Sequence, residues 1–276
     1  MRFLHLSDLH LGKRVCEFSM LDDQRYILEQ ILSLLDSHPV DAVLLAGDLY
    51  DKPVPPAEAV RLLDWFLTEL SHRKLPVFAI SGNHDSADRV AFGSALLAES
   101  RVYVSPVFSG PPEPITLTDA HGPVDLYLLP FLKPAMVRHV WPDAPIESYN
   151  DALACVLDHC SPDPARRSVL VAHQFVAGAA SCESEEPSVG GIDWVDAALF
   201  DKFDYVALAS AQPPEGGPGY PALLRNASEV FLLGGQPAQE RDLCGAGRKG
   251  QCDHCRRTAG APARSAGAAR QLYGAD

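Results

Sequence analysis

The chain has no long apolar run. Nowhere in its 276 residues do about 18 hydrophobic residues follow one another, and the start, Met1-Arg2-Phe3-Leu4-His5, turns polar at once. This pattern fits neither a membrane-spanning helix nor a secretory signal, so no membrane association is expected and the cytoplasm is the expected compartment. An ordered cysteine framework is also missing. The seven cysteines, at positions 16, 155, 160, 182, 244, 252 and 255, are odd in number and unevenly spaced. A secreted disulfide scaffold is therefore excluded, and free thiols are expected. Positive charge is scarce in the first three quarters of the chain: residues 1–208 hold 15 Lys and Arg against 30 Asp and Glu. Such a surface has no general basic footprint for a polyanion.

What is present is enough apolar material for a core, since 47% of residues are hydrophobic, and disorder throughout is excluded. Short apolar runs alternate with longer segments of helical period, the pattern of strands joined by crossover helices, so the fold class is α/β. Strands are expected at Arg2 to Leu6, Asp41 to Ala46, Pro76 to Ile80, Val102 to Val104, Leu126 to Leu129, Ser168 to Ala172 and Tyr205 to Leu208. Helices are expected from Met20 to Leu35, after Pro55-Pro56, and from about Tyr149 to His159. The proline-rich stretch Pro106 to Pro114 reads as a surface loop joining two halves of the sheet system. No internal repeat is visible. Near residue 208 the composition changes: the last 68 residues carry 8 Lys and Arg against 6 Asp and Glu, with 11 of the 20 glycines, and show no apolar period after about Leu233.

Polar residues recur immediately after the apolar strands: Asp8 and His10 after the first, Asp48 after the second, Asn83 and His84 after the third, and His173 after a later one. In an open α/β sheet these carboxyl-end loops form the ligand crevice. Carboxylate, imidazole and amide oxygen suit borderline divalent ions such as Mn²⁺, Fe²⁺ or Zn²⁺, and no thiolate recurs at these positions to suggest a structural zinc site. Singly, each has an ordinary reading. Gly47-Asp48 is a common turn, and Asn83 after Gly82 could occupy a left-handed turn position. Four strand-end motifs in order are much more specific than any one of them. His5, His72 and His159 lack this context and read as structural or surface residues.

Asp8-Leu9-His10, Gly47-Asp48, Gly82-Asn83-His84-Asp85 and Ala172-His173 resemble the successive motifs of the calcineurin-like metallophosphoesterases. The longer stretches Phe3 to Lys13, Asp23-Gln24-Arg25, Ala46 to Asp51 and Phe203 to Leu208 narrow the resemblance to the nuclease-subunit family of bacterial SbcCD complexes, over residues 1–208. It implies a two-sheet αββα sandwich and a two-metal hydrolysis of DNA phosphodiesters, with two divalent cations, Mn²⁺ by family habit. The expected activities are exonuclease on duplex ends and endonuclease on hairpins or single strands, in repair, replication and recombination. Carried over residue by residue, Asp8 and His10 hold the first metal, Asp48 bridges both, and Asn83 and His173 belong to the second. His84 stays off the metals as the catalytic general acid or phosphoryl hydrogen-bond donor. The implied partners are DNA and an SbcC-like ATPase, with a homodimer inside a heterotetramer. A domain so rich in acidic residues would depend on that ATPase for affinity to DNA. The rivals are a small-substrate phosphatase or phosphodiesterase of the same superfamily, and an inactive truncated homologue.

The sequence departs from the family after Leu208, where a Gly-His-x-His motif supplying two further ligands is expected and Ala209-Ser210-Ala211 stands instead. Small side chains there donate nothing to a metal. Codon degeneracy allows the three residues to be read one nucleotide later as His-Leu-His, and the shifted register continues to resemble the family through Gly234. Residues 209–276 are accordingly read as an out-of-frame, disordered tail. The apparent zinc knuckle around Cys244 and Cys252-Asp253-His254-Cys255, and the Arg-rich run Arg248 to Arg270, fall with it.

Overall fold

The computed structural model describes residues 1–176 and 194–208. The tail from 209 onward, with its cysteine and arginine motifs, lies outside the described residues.

In chain order the strands are β1 (Phe3–Leu6), β2 (Arg14–Val15), β3 (Phe18–Ser19), β4 (Ala42–Ala46), β5 (Val77–Ile80), β6 (Val102–Val104), β7 (Ile115–Asp119), β8 (Gly122–Leu129), β9 (Arg167–Ala172) and β10 (Tyr205–Ala207). The helices are α1 (Leu21–Ser37), α2 (Ala57–His72), α3 (Ala87–Val90), α4 (Ser94–Glu99), α5 (Pro134–Val140) and α6 (Tyr149–Asp158), with a 3-10 turn at Ala197–Phe200. Two four-stranded sheets result, ordered β1-β4-β5-β6 and β10-β9-β8-β7. Within these sheets all pairs are parallel except β7 with β8.

The period of two along the strands builds four layers. On β4, Ala42, Leu44 and Ala46 face the second sheet, together with Phe78 and Ile80 of β5. They meet Val124, Leu126 and Leu128 of β8 and Val169 and Val171 of β9. The alternate residues Val43, Leu45, Val77 and Ala79 turn outward under α1 and α2, against Leu28, Ile31, Leu32, Leu63 and Phe66. On the far side Tyr127, Leu129, Leu170 and Ala172 pack under α5 and α6, against Val137, Leu153, Val156 and Leu157. Strands buried on both faces read as continuous apolar runs, which is why they were visible in the sequence. Burying a side chain such as Phe78 or Ile80 stabilises the sandwich by about 1.5–3 kcal/mol.

The expected strands and long helices fall within a few residues of the observed ones. The chain between Val104 and Ile115, which holds the proline-rich stretch, carries no helix or strand and passes from the first sheet to the second. Not foreseen were the small β2–β3 hairpin, the edge strand β7 and the short helices α3, α4 and α5. The hairpin turns through Cys16 and Glu17, both at positive φ, without the glycine or asparagine that normally announces such a turn. No helix among the described residues is long and apolar enough to cross a membrane.

Candidate metal centre

All six residues singled out in the sequence converge on one edge of the sandwich. Asp8 and His10 follow β1, Asp48 follows β4, Asn83 and His84 follow β5, and His173 follows β9. Asp48, His10 and His173 are buried, while Asp8, Asn83 and His84 are half-buried.

The loops that present them are bent into an unfavourable backbone. Asp8 (φ 53°), His10 (φ 42°) and Asp48 (φ 49°) occupy the left-handed region, which costs a non-glycine residue about 1–2 kcal/mol. Pairing between the loops offsets that cost. The Asp8 amide donates to the Gly47 carbonyl (3.2 Å), that of His10 to Asp48 (2.9 Å) and that of Leu11 to Leu49 (3.0 Å). The neighbouring glycines are required by crowding. A Cβ on Gly82 would overlap the Asp48 backbone and carboxylate, and one on Gly47 would overlap the His173 ring.

The ligand atoms form two groups that share Asp48: His10, Asp48 and His84 in one, Asp8, Asp48 and His173 in the other, with atoms of each group within 4.8 Å of one another. In the first, His10 Nε2 is 3.7 Å from Asp48 Oδ2 and 3.9 Å from Asp8 Oδ1. In the second, His173 Nε2 is 3.4 Å from Asp48 Oδ2 and 2.9 Å from Asn83 Oδ1. The His173 Nδ1–H donates to the Ala46 carbonyl at 2.7 Å, which turns Nε2 toward the carboxylate. The His84 amide donates to Asp48 Oδ1 (2.8 Å). The His84 ring lies edge-on to that of His10, with centroids 4.8 Å apart, and its Nδ1 is 3.1 Å from the Asp51 carbonyl.

Electrostatics makes this a cation site. Burial would push the Asp48 carboxyl up, but His173, His10 and the His84 amide outweigh it and hold the group below its usual range. Burial works against charge on His173 as well. The Asp48 carboxylate overrides it and raises that imidazole to about 10, so a proton occupies the lone pair that a metal would use. His10 is pushed down by burial, against the pull of Asp48 and Asp8, and its buried Nδ1 has no partner. Two partly buried ligand groups sharing one carboxylate fit divalent ions of the Mn²⁺, Fe²⁺ or Zn²⁺ kind.

Residues 1–216 match the family model described as calcineurin-like phosphoesterase. The chain belongs to this family. Among curated relatives of this phosphoesterase, the D subunit of nuclease SbcCD from Staphylococcus saprophyticus is 33% identical over 218 residues, covering 78% of this chain and 57% of that protein. The protein of the same name from Staphylococcus epidermidis matches with the same identity and coverage. The chain thus spans about 57% of the length of these relatives. Among solved structures, a dimetal phosphatase from Danio rerio is similar at 15% identity and a TM-score of 0.42, covering 75% of this chain and 79% of that one.

One residue that supports the phosphoesterase site was given no role by the sequence. Asp85 ends the Gly82-Asn83-His84-Asp85 motif, and its carboxylate accepts the amides of Leu49 (3.0 Å), Tyr50 (2.9 Å) and Gly82 (2.9 Å). It ties the Asp48 loop to the Asn83 loop. Burial raises its pKa despite those donors. An acid following a run of ligand residues was the available signal. The three histidines set aside behave as expected. The His5 ring nitrogen is 3.2 Å from the Tyr205 hydroxyl and burial lowers its pKa to about 4, His72 is exposed, and His159 stacks on Trp141.

Proposed function

We propose that this phosphoesterase is the nuclease module of an SbcD-like protein and hydrolyses DNA phosphodiesters with two divalent cations, Mn²⁺ in the first instance. The observation that carries the reading is the pair of ligand groups sharing the buried Asp48 carboxylate, although they bring His84 beside His10 and Asp8 beside His173. In this reading Asp8 and His10 hold one cation, Asp48 bridges, and Asn83 and His173 hold the other. Bound there, the cations would acidify a water and stabilise charge on the attacking and leaving oxygens. The protein's part is to fix the ligands in a dry edge, to keep the His173 Nε2 directed at the site through the Ala46 carbonyl, and to hold His84 beside the scissile phosphate. From there its ring can donate to a phosphoryl oxygen or protonate the leaving oxygen.

The partners in this reading are DNA and an SbcC-like ATPase in the cytoplasm, because residues 1–208, with twice as many acidic as basic side chains, need a basic partner to hold DNA. A homodimer inside a heterotetramer belongs to this reading by family resemblance. The test is cleavage of a DNA hairpin compared with p-nitrophenyl phosphate esters in Mn²⁺. Preferential hairpin cleavage is expected. Turnover of the small esters alone would select the small-substrate phosphatase instead.

A second reading has its own observation. Ala209-Ser210-Ala211 stands where the family supplies two histidine ligands, so the chain as written has incomplete metal shells and reads as a weakened or inactive homologue. We infer a shift of frame between Leu208 and Ala209 from that departure and from the family-like reading of the next register. Resequencing the DNA across codons 204–236 decides the matter: if the present frame has one base gained or two lost relative to one encoding Gly-His-x-His, the cell makes a longer nuclease. An unchanged frame leaves a chain in which calorimetry should find one weak Mn²⁺ site in place of two tight ones.

A further inference from the structure

The Asp23-Gln24-Arg25 stretch was singled out in the sequence, and the two-metal reading leaves it without a task. In the structure Gln24 lies in the first turn of α1, and its carboxamide reaches back to the loop that follows β1. Gln24 Nε2 donates to the carbonyls of Leu9 (3.1 Å) and His10 (2.8 Å). Its Oε1 accepts the amide of Gly12 (3.0 Å). One side chain therefore engages three backbone groups within four residues, in a segment with positive φ at Asp8, His10 and Gly12.

That segment needs holding from two sides. Its inner side is tied to the Asp48 loop by the amides of Asp8, His10 and Leu11. On the other side the carbonyls of Leu9 and His10 turn away from that pairing, the His10 carbonyl also accepting the Lys13 amide (3.0 Å), and one group with two N–H donors and one acceptor reaches all three backbone atoms there. A primary amide is such a group. A carboxylate has no donor, and an ammonium has no acceptor. The helix that delivers it is itself fixed, because Leu28, Ile31, Leu32 and Leu35 of α1 are buried in the core. The clamp thus transmits the position of a packed helix to a strained loop carrying two of the six site residues.

We propose that Gln24 is a positioning residue that fixes the Asp8–His10 loop in its cation-binding shape. Its consequence for metal affinity rests on the two-cation reading above, whereas the clamp on the loop does not. The comparison uses Gln24→Glu, which keeps the shape and removes both donors, and Gln24→Met, which keeps the length and removes every hydrogen bond without adding charge. Gln30→Glu, at an exposed position on the same helix, is the control for charge.

Two readouts separate the clamp from the cation reading: hydrogen exchange at the Gly12 amide in metal-free protein, and calorimetric titration with Mn²⁺ alone. Both Gln24 variants should lose Gly12 protection by about tenfold or more, and Mn²⁺ should bind about 10- to 100-fold more weakly, the range for losing a group behind a metal ligand. Gln30→Glu should match wild type in both. Wild-type Gly12 protection in Gln24→Met would overturn the proposal. So would a lowered Tm with unchanged Mn²⁺ affinity at a temperature where the variant is folded, because that is the mark of a merely stabilising contact. If wild type itself takes up no Mn²⁺, the two-cation reading falls, and Gly12 exchange still decides the clamp.

Discussion

The two ends of the sandwich are built on opposite terms. At the amino ends of the strands, charges are paired. The Met1 amine and the Arg167 guanidinium both bind the Asp119 carboxylate (2.8 and 2.6 Å), and Arg166 binds Asp125 (3.1 Å). The Asp204 carboxylate accepts the Ser168 amide at 2.8 Å. At the carboxyl ends, by contrast, a buried carboxylate faces two imidazoles, three ligand-bearing residues sit at positive φ, and a buried His10 nitrogen is unpartnered. The first end pairs its charges, although Lys74 and Arg101 sit at positive φ there as well and the buried Arg166 Nε lacks a partner; the second gathers ligand atoms on strained loops. In an α/β sandwich the two demands are separable because strand direction assigns them to different edges.

Substitutions at each end should therefore fail in different measurements. The largest effect is expected for Asp48→Asn, which removes the group shared by both ligand sets. Mn²⁺ binding measured by calorimetry should fall by about 100-fold or more, beyond the range for groups behind a ligand. Retention of two tight sites would remove Asp48 from the bridging position. His84→Ala should keep Mn²⁺ binding and lose about 10²- to 10⁴-fold in phosphodiester turnover, the span of general acid catalysis. Unchanged turnover would defeat the role given to that ring.

Gly82→Ala should lower unfolding stability by about 1–3 kcal/mol, since its Cβ must displace the Asp48 backbone, and chemical denaturation at constant m would measure it. The smallest change belongs to the end with paired charges, where Asp119→Asn should cost about 1–2 kcal/mol near neutral pH with Mn²⁺ binding untouched. Its sign with pH is fixed. The Arg167 guanidinium and the terminal amine hold the Asp119 carboxyl well below its usual range, so its contribution is complete above the unfolded value of about 3.9 and disappears as pH falls below it. Wild type and Asp119→Asn should therefore converge in stability in strong acid. A constant gap would show that charge is not what Asp119 contributes.

Much of this contrast was legible before the structure. Buried strands such as Ala42–Ala46 and Val77–Ile80 announce themselves as unbroken apolar runs, and a polar residue just after each marks the functional edge. Strand β7 did not. Its residues Ile115–Asp119 alternate between half-buried and exposed, beside a proline-rich loop that masks the period. The supporting contacts of Asp85 and Gln24 were hidden for a different reason. Their partners are backbone amides and carbonyls, which every residue possesses, so no periodicity or residue type at the receiving end records the pairing. The sequence showed the ligands and left unseen the groups that hold them in place.

The bond from His173 Nδ1 to the Ala46 carbonyl joins residues 127 positions apart, and that separation has a meaning in time. Chain synthesis at about 5–20 residues per second places on the order of ten seconds or more between the emergence of His10 and that of His173. Throughout that interval the first sheet can form with Asp8, His10, Asp48 and Asn83 in hand, yet the second ligand group lacks its imidazole and the inner apolar face lacks its cover. His173 reaches Asp48 only when the two sheets close on one another, so the same event that buries the core also gathers the second ligand group.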